Sequence, residues 1–255
     1  MSPRPVHVAD ARWRGAVDEL VPRVVPVDSP AGAVCVLDGA GPWWREVERS
    51  FAEGACGAVV VAPSAAPVDR VEALAAVGGP LALCRPHLDD WTAPAPAGVA
   101  HLVVADVTAA ASRAATAVRD AAGWARHLAG AALVVEDVWS GAAAVLVTAT
   151  STAGTPVSLA LAVGRAGSPT ALTVVGIGPA RTEVRADEAT GRCEVAVTDA
   201  RGTLVLPQRY EDGVRAALRA VVGALEDGGD GALPDLAGFA ADEAVAGRVV
   251  AALRP

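Results

Sequence analysis

The chain has 255 residues, 53% of them hydrophobic, a formal net charge of -8, and no lysine: every basic side chain other than histidine is an arginine. That length bounds it to one large domain or two small ones with a substantial core. The acidic balance argues against nucleic acid or an anionic membrane surface as a general partner, and the missing lysine excludes Schiff-base and lysine acid–base chemistry.

No apolar run approaches the ~20 residues that span a bilayer, and MSPRPVHVAD lacks the apolar centre of a signal peptide. The expectation is a cytoplasmic protein. Cys35, Cys56, Cys84 and Cys193 are scattered, with no CxxC and no metal-site spacing around them. They read as free thiols packed as small hydrophobes.

Taken in order, Val6–Ala9 reads as a short strand and Trp13–Leu20 as a helix carrying Val17 and Leu20. Val24–Val27 is a second strand ending at Asp28, and Ala33–Leu37 a third ending in Asp38-Gly39-Ala40-Gly41-Pro42. Trp43–Glu53 is a helix with Pro42 just ahead of it, where proline is tolerated. Gly57–Asp90 then forms a complete strand–helix–strand unit. Ala58–Val61 is a continuous apolar run, the mark of a strand buried on both faces. Val68, Val71, Leu74 and Ala75 recur at helical spacing, Gly78-Gly79 supplies the stop, and Leu81–Cys84 is the second strand. Strands joined in this way are parallel neighbours. Their ligands bind beyond the carboxyl ends of the strands, which puts any chemistry near Pro63–Pro67 and Arg85–Asp89. A Pro- and Ala-rich loop, Asp89–Gly98, leads to a further strand, His101–Val107.

Ala109–Leu128 is one long Ala-rich helical stretch, after which strands follow without intervening helices: Leu133–Trp139, Ala144–Thr150, Val157–Val163, Ala171–Val175, Thr182–Arg185, Cys193–Val197 and Thr203–Leu206. Their short Gly- and Asp-containing links predict hairpins, hence a largely antiparallel sheet. Two helices with apolar stripes close the chain, Tyr210–Glu226 (Val214, Leu218, Val221, Val222, Leu225) and Asp235–Leu253 (Leu236, Phe239, Ala246, Val250, Leu253). The expected fold class is α/β: a Rossmann-like parallel sheet over residues 1–108, then an α+β domain with a largely antiparallel sheet over residues 109–255.

The unit AVVVAP…VEALAAVGGPLALCRPHL resembles the glucose–fructose oxidoreductase / inositol dehydrogenase (Gfo/Idh/MocA) family, in which a strand and helix lead to G-K-P-V-L-x-E-K-P-L. VRDAAGWARHLAG is similar to that family's linking helix, and TSTAGTPVSLALAV and ALTVVGIGPARTEVR to its sheet strands. Typical members are longer, with the shortfall here around residues 89–120. The resemblance implies the family fold, NAD(P) as cofactor, and a homo- or hetero-oligomer formed through the C-terminal sheet.

Tested residue by residue, the pattern departs from the family. A dinucleotide turn needs bare glycines so that amides can approach the pyrophosphate. Here the first strand runs into Ala9-Asp10-Ala11-Arg12-Trp13-Arg14-Gly15, where Asp10 repels phosphate and Arg12 offers charge. Asp28 stands where a ribose-binding acid belongs, and Asp-Ser-Pro is also an ordinary turn. Gly39-Ala40-Gly41 is a second candidate anion turn. The family's Glu-Lys-Pro is replaced by the region of Arg85-Pro86-His87. Arginine stays protonated at neutral pH and cannot serve as an acid–base group there, whereas histidine is a residue type that can, which singles out His87. On the linking helix the position of the family's acid–base His holds Asp120. The candidate residues are therefore His87 and Asp120 for catalysis, and Asp28, Arg12, Pro63 and Arg85 for cofactor binding, with no metal site. The reading is an oxidoreductase-fold protein without hydride transfer, acting as a binding or partner subunit; the alternative is an NAD(P)-dependent oxidoreductase with a rebuilt site.

Overall fold

A computed structural model describes residues 3–20, 23–88, 100–207, 213–227 and 236–253. Contacts divide the chain into two compact units: Met1–Pro86 with Tyr210–Ala237, and His87–Arg209 with Gly238–Pro255.

The first unit is built on a five-stranded parallel sheet: β1 (Arg4–Val8), β2 (Val24–Val27), β3 (Val34–Asp38), β4 (Gly57–Val61) and β5 (Leu81–Cys84), in the order β2-β1-β3-β4-β5. The apolar run of β4 is buried at every residue, as a strand covered on both faces must be. Helix α1 (Arg14–Asp18) follows a single 3-10 turn, α2 is Trp43–Ala52, and α3 is Val68–Ala73. The strand–helix–strand unit read from the sequence is present, with β4 and β5 paired in parallel. Because β1 has β2 on one side and β3 on the other, the winding reverses between them, and the carboxyl ends of β1 and β3 flank a topological switch point. Helix α5 (Gly213–Glu226) packs against β3, β4 and β5. It therefore belongs to this unit, and not to the C-terminal domain the sequence suggested. The predicted start of that helix at Tyr210, the start of the last helix at Asp235, and the loop Asp89–Gly98 lie outside the described residues.

The second unit is an eight-stranded sheet, β6 (Leu102–Ala110), β7 (Leu133–Ser140), β8 (Ala144–Ser151), β9 (Pro156–Gly164), β10 (Ala171–Ile177), β11 (Arg181–Asp187), β12 (Arg192–Asp199) and β13 (Gly202–Val205). The order is β13-β12-β11-β10-β6-β9-β8-β7. Every neighbouring pair is antiparallel except β6 with β9. The strand expected to finish the Rossmann-like half is thus β6, which sits inside this second sheet, and the division expected at residue 108 falls instead after Pro86. The physical sign was Asp106. Along β6 buried Val103, Ala105 and Val107 alternate with exposed Leu102, Asp106 and Thr108, the pattern of a sheet covered on one face only.

Helix α4 (Ala114–Ala129) covers the buried face, packing on β6, β9 and β10. It starts later than predicted because β6 runs to Ala110 and a 3-10 turn intervenes. It ends at Gly130, which takes φ 70° as a C-terminal cap. Gly176 of β10 lets the helix approach: a side chain there would meet Leu128 at 3.3 Å. Helix α6 (Leu236–Ala252) completes the set.

Cys35 lies in the middle of β3, fully buried, and desolvation pushes its thiol up to about 11. We expect Cys35 to resist a thiol reagent at pH 8 until the protein unfolds, since only the thiolate reacts. Mass-spectrometric mapping of alkylated cysteines in native and urea-unfolded protein checks this; labelling of native Cys35 at the rate of an exposed thiol would contradict it.

Candidate functional site

In the first unit the strand ends are closely knit. After β3, the Gly39 amide donates to the Val61 carbonyl at 2.7 Å and the Ala40 amide to the Asp38 carboxylate at 3.1 Å. After β4, the Ser64 amide returns to the Gly39 carbonyl at 2.7 Å, the Ser64 hydroxyl donates to the Gly41 carbonyl at 3.0 Å, and the buried Trp43 indole donates to the Ser64 carbonyl at 3.0 Å. A side chain at Gly39 would come within 2.4 Å of the Pro63 backbone. Pro63 is thus a packing residue between two strand ends. Gly39-Ala40-Gly41, read as a candidate anion turn, has its first two amides committed internally. Ala62, just before Pro63, holds φ 50°, a left-handed conformation unusual for a residue with a Cβ.

The turn after β1 is occupied by its own side chains. Asp10 accepts from the Arg12 amide at 2.9 Å and from the Arg12 guanidinium at 2.7 Å, and the same guanidinium reaches Asp38, after β3, at 2.5 Å. The hydrogen bond from the Arg12 side chain holds the Asp10 carboxyl below its ordinary range. Arg12, offered by the sequence as a cofactor-binding cation, is shared between two carboxylates. Asp28 follows β2 and is exposed, and Arg85 follows β5 and is buried.

In the second unit His87 and Asp120 do meet, through the backbone of one and the side chain of the other. The His87 amide donates to the Asp120 carboxylate at 3.0 Å, and the Trp124 indole, one turn along α4, donates to the His87 carbonyl at 2.8 Å. The histidine backbone is held at both polar groups, and its ring is half-buried. Asp120 is fully buried and also faces Arg119 at 3.3 Å; Arg119 reaches Glu243 of α6 at 3.4 Å and stacks on Phe239 at 4.7 Å. A few residues on, Arg126 forks onto buried Asp242 at 2.9 and 3.1 Å. Gly238 makes room for that guanidinium. The sequence reading passed over Trp124, Asp242 and Glu243. The signal available was an acid pair inside an otherwise apolar helix, which demands buried partners.

Among the described residues no group of three or more His, Cys, Asp or Glu side chains is placed to hold a metal ion, and no helix is long and apolar enough to cross a membrane. A nicotinamide dinucleotide is what the resemblance read from the sequence implies. As they stand the residues after β1 do not fit one: the Arg12 amide is taken by a carboxylate, and two carboxylates lie where a pyrophosphate would need donors.

The arrangement of a parallel dinucleotide-type sheet with a large, mostly antiparallel sheet is the fold of the Gfo/Idh/MocA-type oxidoreductases, and this chain has it. No protein-family model matches the sequence, and no curated protein matches it. Among solved structures it is similar to UDP-N-acetylglucosamine 3-dehydrogenase from Acidithiobacillus ferrooxidans, at 13% identity and TM-score 0.71, over 99% of this chain and 98% of that one. A 3-ketoreductase from Actinomadura kijaniata, in complex with TDP-benzene and NADP, matches at 16% identity and TM-score 0.62, again over 99% and 98%. A dehydrogenase from Clostridium difficile matches at 9% identity and TM-score 0.60 over 98% of both chains.

Asp120→Ala would strip buried Arg119 of a counter-charge and leave the His87 amide without its acceptor, a loss of roughly 3–5 kcal/mol. Asp120→Asn, which keeps an acceptor, should fall between Ala and the parent. Urea unfolding of the three proteins measures the order; an Ala variant as stable as the parent would show that the cluster does not hold the unit together.

Proposed function

We propose that the protein is an NAD(P)-dependent oxidoreductase with a rebuilt site. The observation that carries this reading is the end-to-end structural likeness to dehydrogenases and reductases, one of them in complex with NADP. In the first unit Asp28 and Arg85 are the polar side chains at strand ends assigned to a ligand. In the second, His87 is the group assigned to proton transfer, with Asp120 and Trp124 as positioning residues that fix its backbone. A nicotinamide, when bound, supplies the hydride chemistry; the histidine ring supplies a nitrogen that can give or take a proton.

One observation favours a second reading, a binding or partner subunit without hydride transfer. The Arg12 amide and guanidinium are both engaged by Asp10, and no lysine exists anywhere in the chain to replace the family's acid. Titration of the protein with NADPH, followed by nucleotide fluorescence and by the rise in melting temperature that ligand binding imposes, separates the two. We expect saturable binding. A flat titration to millimolar NADPH and NADH, in the parent and in an Asp10→Gly variant alike, would remove the oxidoreductase reading and leave the partner subunit.

We further propose that the protein self-associates through the open face of the eight-stranded sheet. Cross-strand pairs of large apolar side chains lie there, Trp139 with Leu146 and Leu102 with Ile177, and Trp139 is 51% exposed. Exposed apolar patches of this kind mark interaction surfaces. Sedimentation velocity is expected to show a dimer that Trp139→Glu with Leu146→Glu converts to monomer; a monomeric parent protein would refute the assignment.

A further inference from the structure

The disagreement between the turn after β1 and a dinucleotide has a specific form, and it goes deeper than missing glycines. β1 and β3 are neighbouring parallel strands, with Val8 opposite Val36, so Asp10 and Asp38 emerge side by side at the switch point. Arg12 spans them, 2.7 Å from one carboxylate and 2.5 Å from the other. Asp10 thereby engages both groups of Arg12 that an incoming anion would use, its amide and its guanidinium. The trio carries a net single negative charge where a pyrophosphate brings more of the same sign. Yet the side chains are 59%, 34% and 42% exposed for Arg12, Asp10 and Asp38, and ion pairs that water reaches are weak.

We propose that the Asp10–Arg12–Asp38 bridge is a latch over the switch-point crevice: dinucleotide phosphates enter the first unit only when Asp10 releases Arg12. This rests on the NAD(P) reading above. Asp10→Gly removes the carboxylate, returns the Arg12 amide and leaves its guanidinium tethered beside the crevice by Asp38. Arg12→Ala removes the cation and leaves both carboxylates.

The test is NADPH titration by fluorescence of the parent, Asp10→Gly and Arg12→Ala proteins, with inorganic pyrophosphate as competitor and melting temperatures to confirm that each is folded. The latch predicts that Asp10→Gly binds about tenfold more tightly than the parent, the size expected for releasing exposed ion pairs. It also predicts that pyrophosphate competes at that variant, and that Arg12→Ala binds no more tightly than the parent. A parent that binds NADPH with an affinity Asp10→Gly leaves unchanged overturns the latch while sparing the NAD(P) reading. Equal tightening by both variants overturns the role given to the Asp10 carboxylate. Failure of all three folded proteins to bind at millimolar NADPH overturns latch and reading together.

Discussion

The second unit depends on a helix with almost no access to water. From Ala117 through Ala125 every residue of α4 is buried, and two of them, Arg119 and Asp120, are ionisable. A buried ion without partners is prohibitively expensive, so this pair dictates what surrounds it. The Asp120 carboxylate takes the amide of His87, the Arg119 guanidinium takes Glu243 and the face of Phe239, and α6 must dock where those side chains can be reached. The alanines that fill the rest of the helix let the sheet approach closely, and Gly176 removes the one Cβ that would crowd Leu128. Apolar packing and ion pairing are not separate devices here; the first makes the second obligatory.

The first unit solves a different problem. Its buried parallel strands are nearly all Val, Ala and Leu, and its polar groups gather at the carboxyl ends. There the loops after β3 and β4 satisfy one another's backbone groups, which fixes Gly39 and Pro63 in contact and holds Ala62 at an unfavourable φ. Beside this rigid pair the turn after β1 is held by the exposed ion pairs of Arg12 and by the Arg12 and Trp13 amides, both of which donate to Asp10. Rigidity and looseness thus lie on adjacent strands of one sheet.

Much of this was legible in the sequence. The strands between Leu133 and Val205 could be read almost to the residue because alternation is strong and glycines with positive φ, among them Gly154, Gly167 and Gly191, mark the turns. The stripe of α5 was equally clear, whereas α4 was read as starting at Ala109, inside what is the end of β6. Membership was not legible: local pattern says that residues 102–110 form a strand but not which sheet receives it, and the stripe of α5 does not name the surface it covers. At the site, spacing singled out Asp28, whereas Arg12 pairs with Asp38, since strand order and not distance along the chain decides which ends are neighbours. The sequence put Asp120 forward for catalysis and gave no role to Arg119 beside it on the Ala-rich helix. Only the surrounding elements reveal that the helix is enclosed.

The place of β6 in its sheet has a kinetic consequence. It is the first strand of the second unit to leave the ribosome, yet its partners are β9, at Val103 with Val157, and β10, at Val107 with Leu172. On one side β7, β8 and β9 form a meander of sequential neighbours, and on the other β10 to β13 form a second one. Each can assemble from local contacts, but the two blocks are joined only by β6. The strand made first must therefore wait unpaired until the first meander reaches β9, and its other edge stays open until β10 is made. Topologies of this kind fold slowly, and the apolar edge of a waiting strand is the point at which such a chain is open to aggregation before it is native.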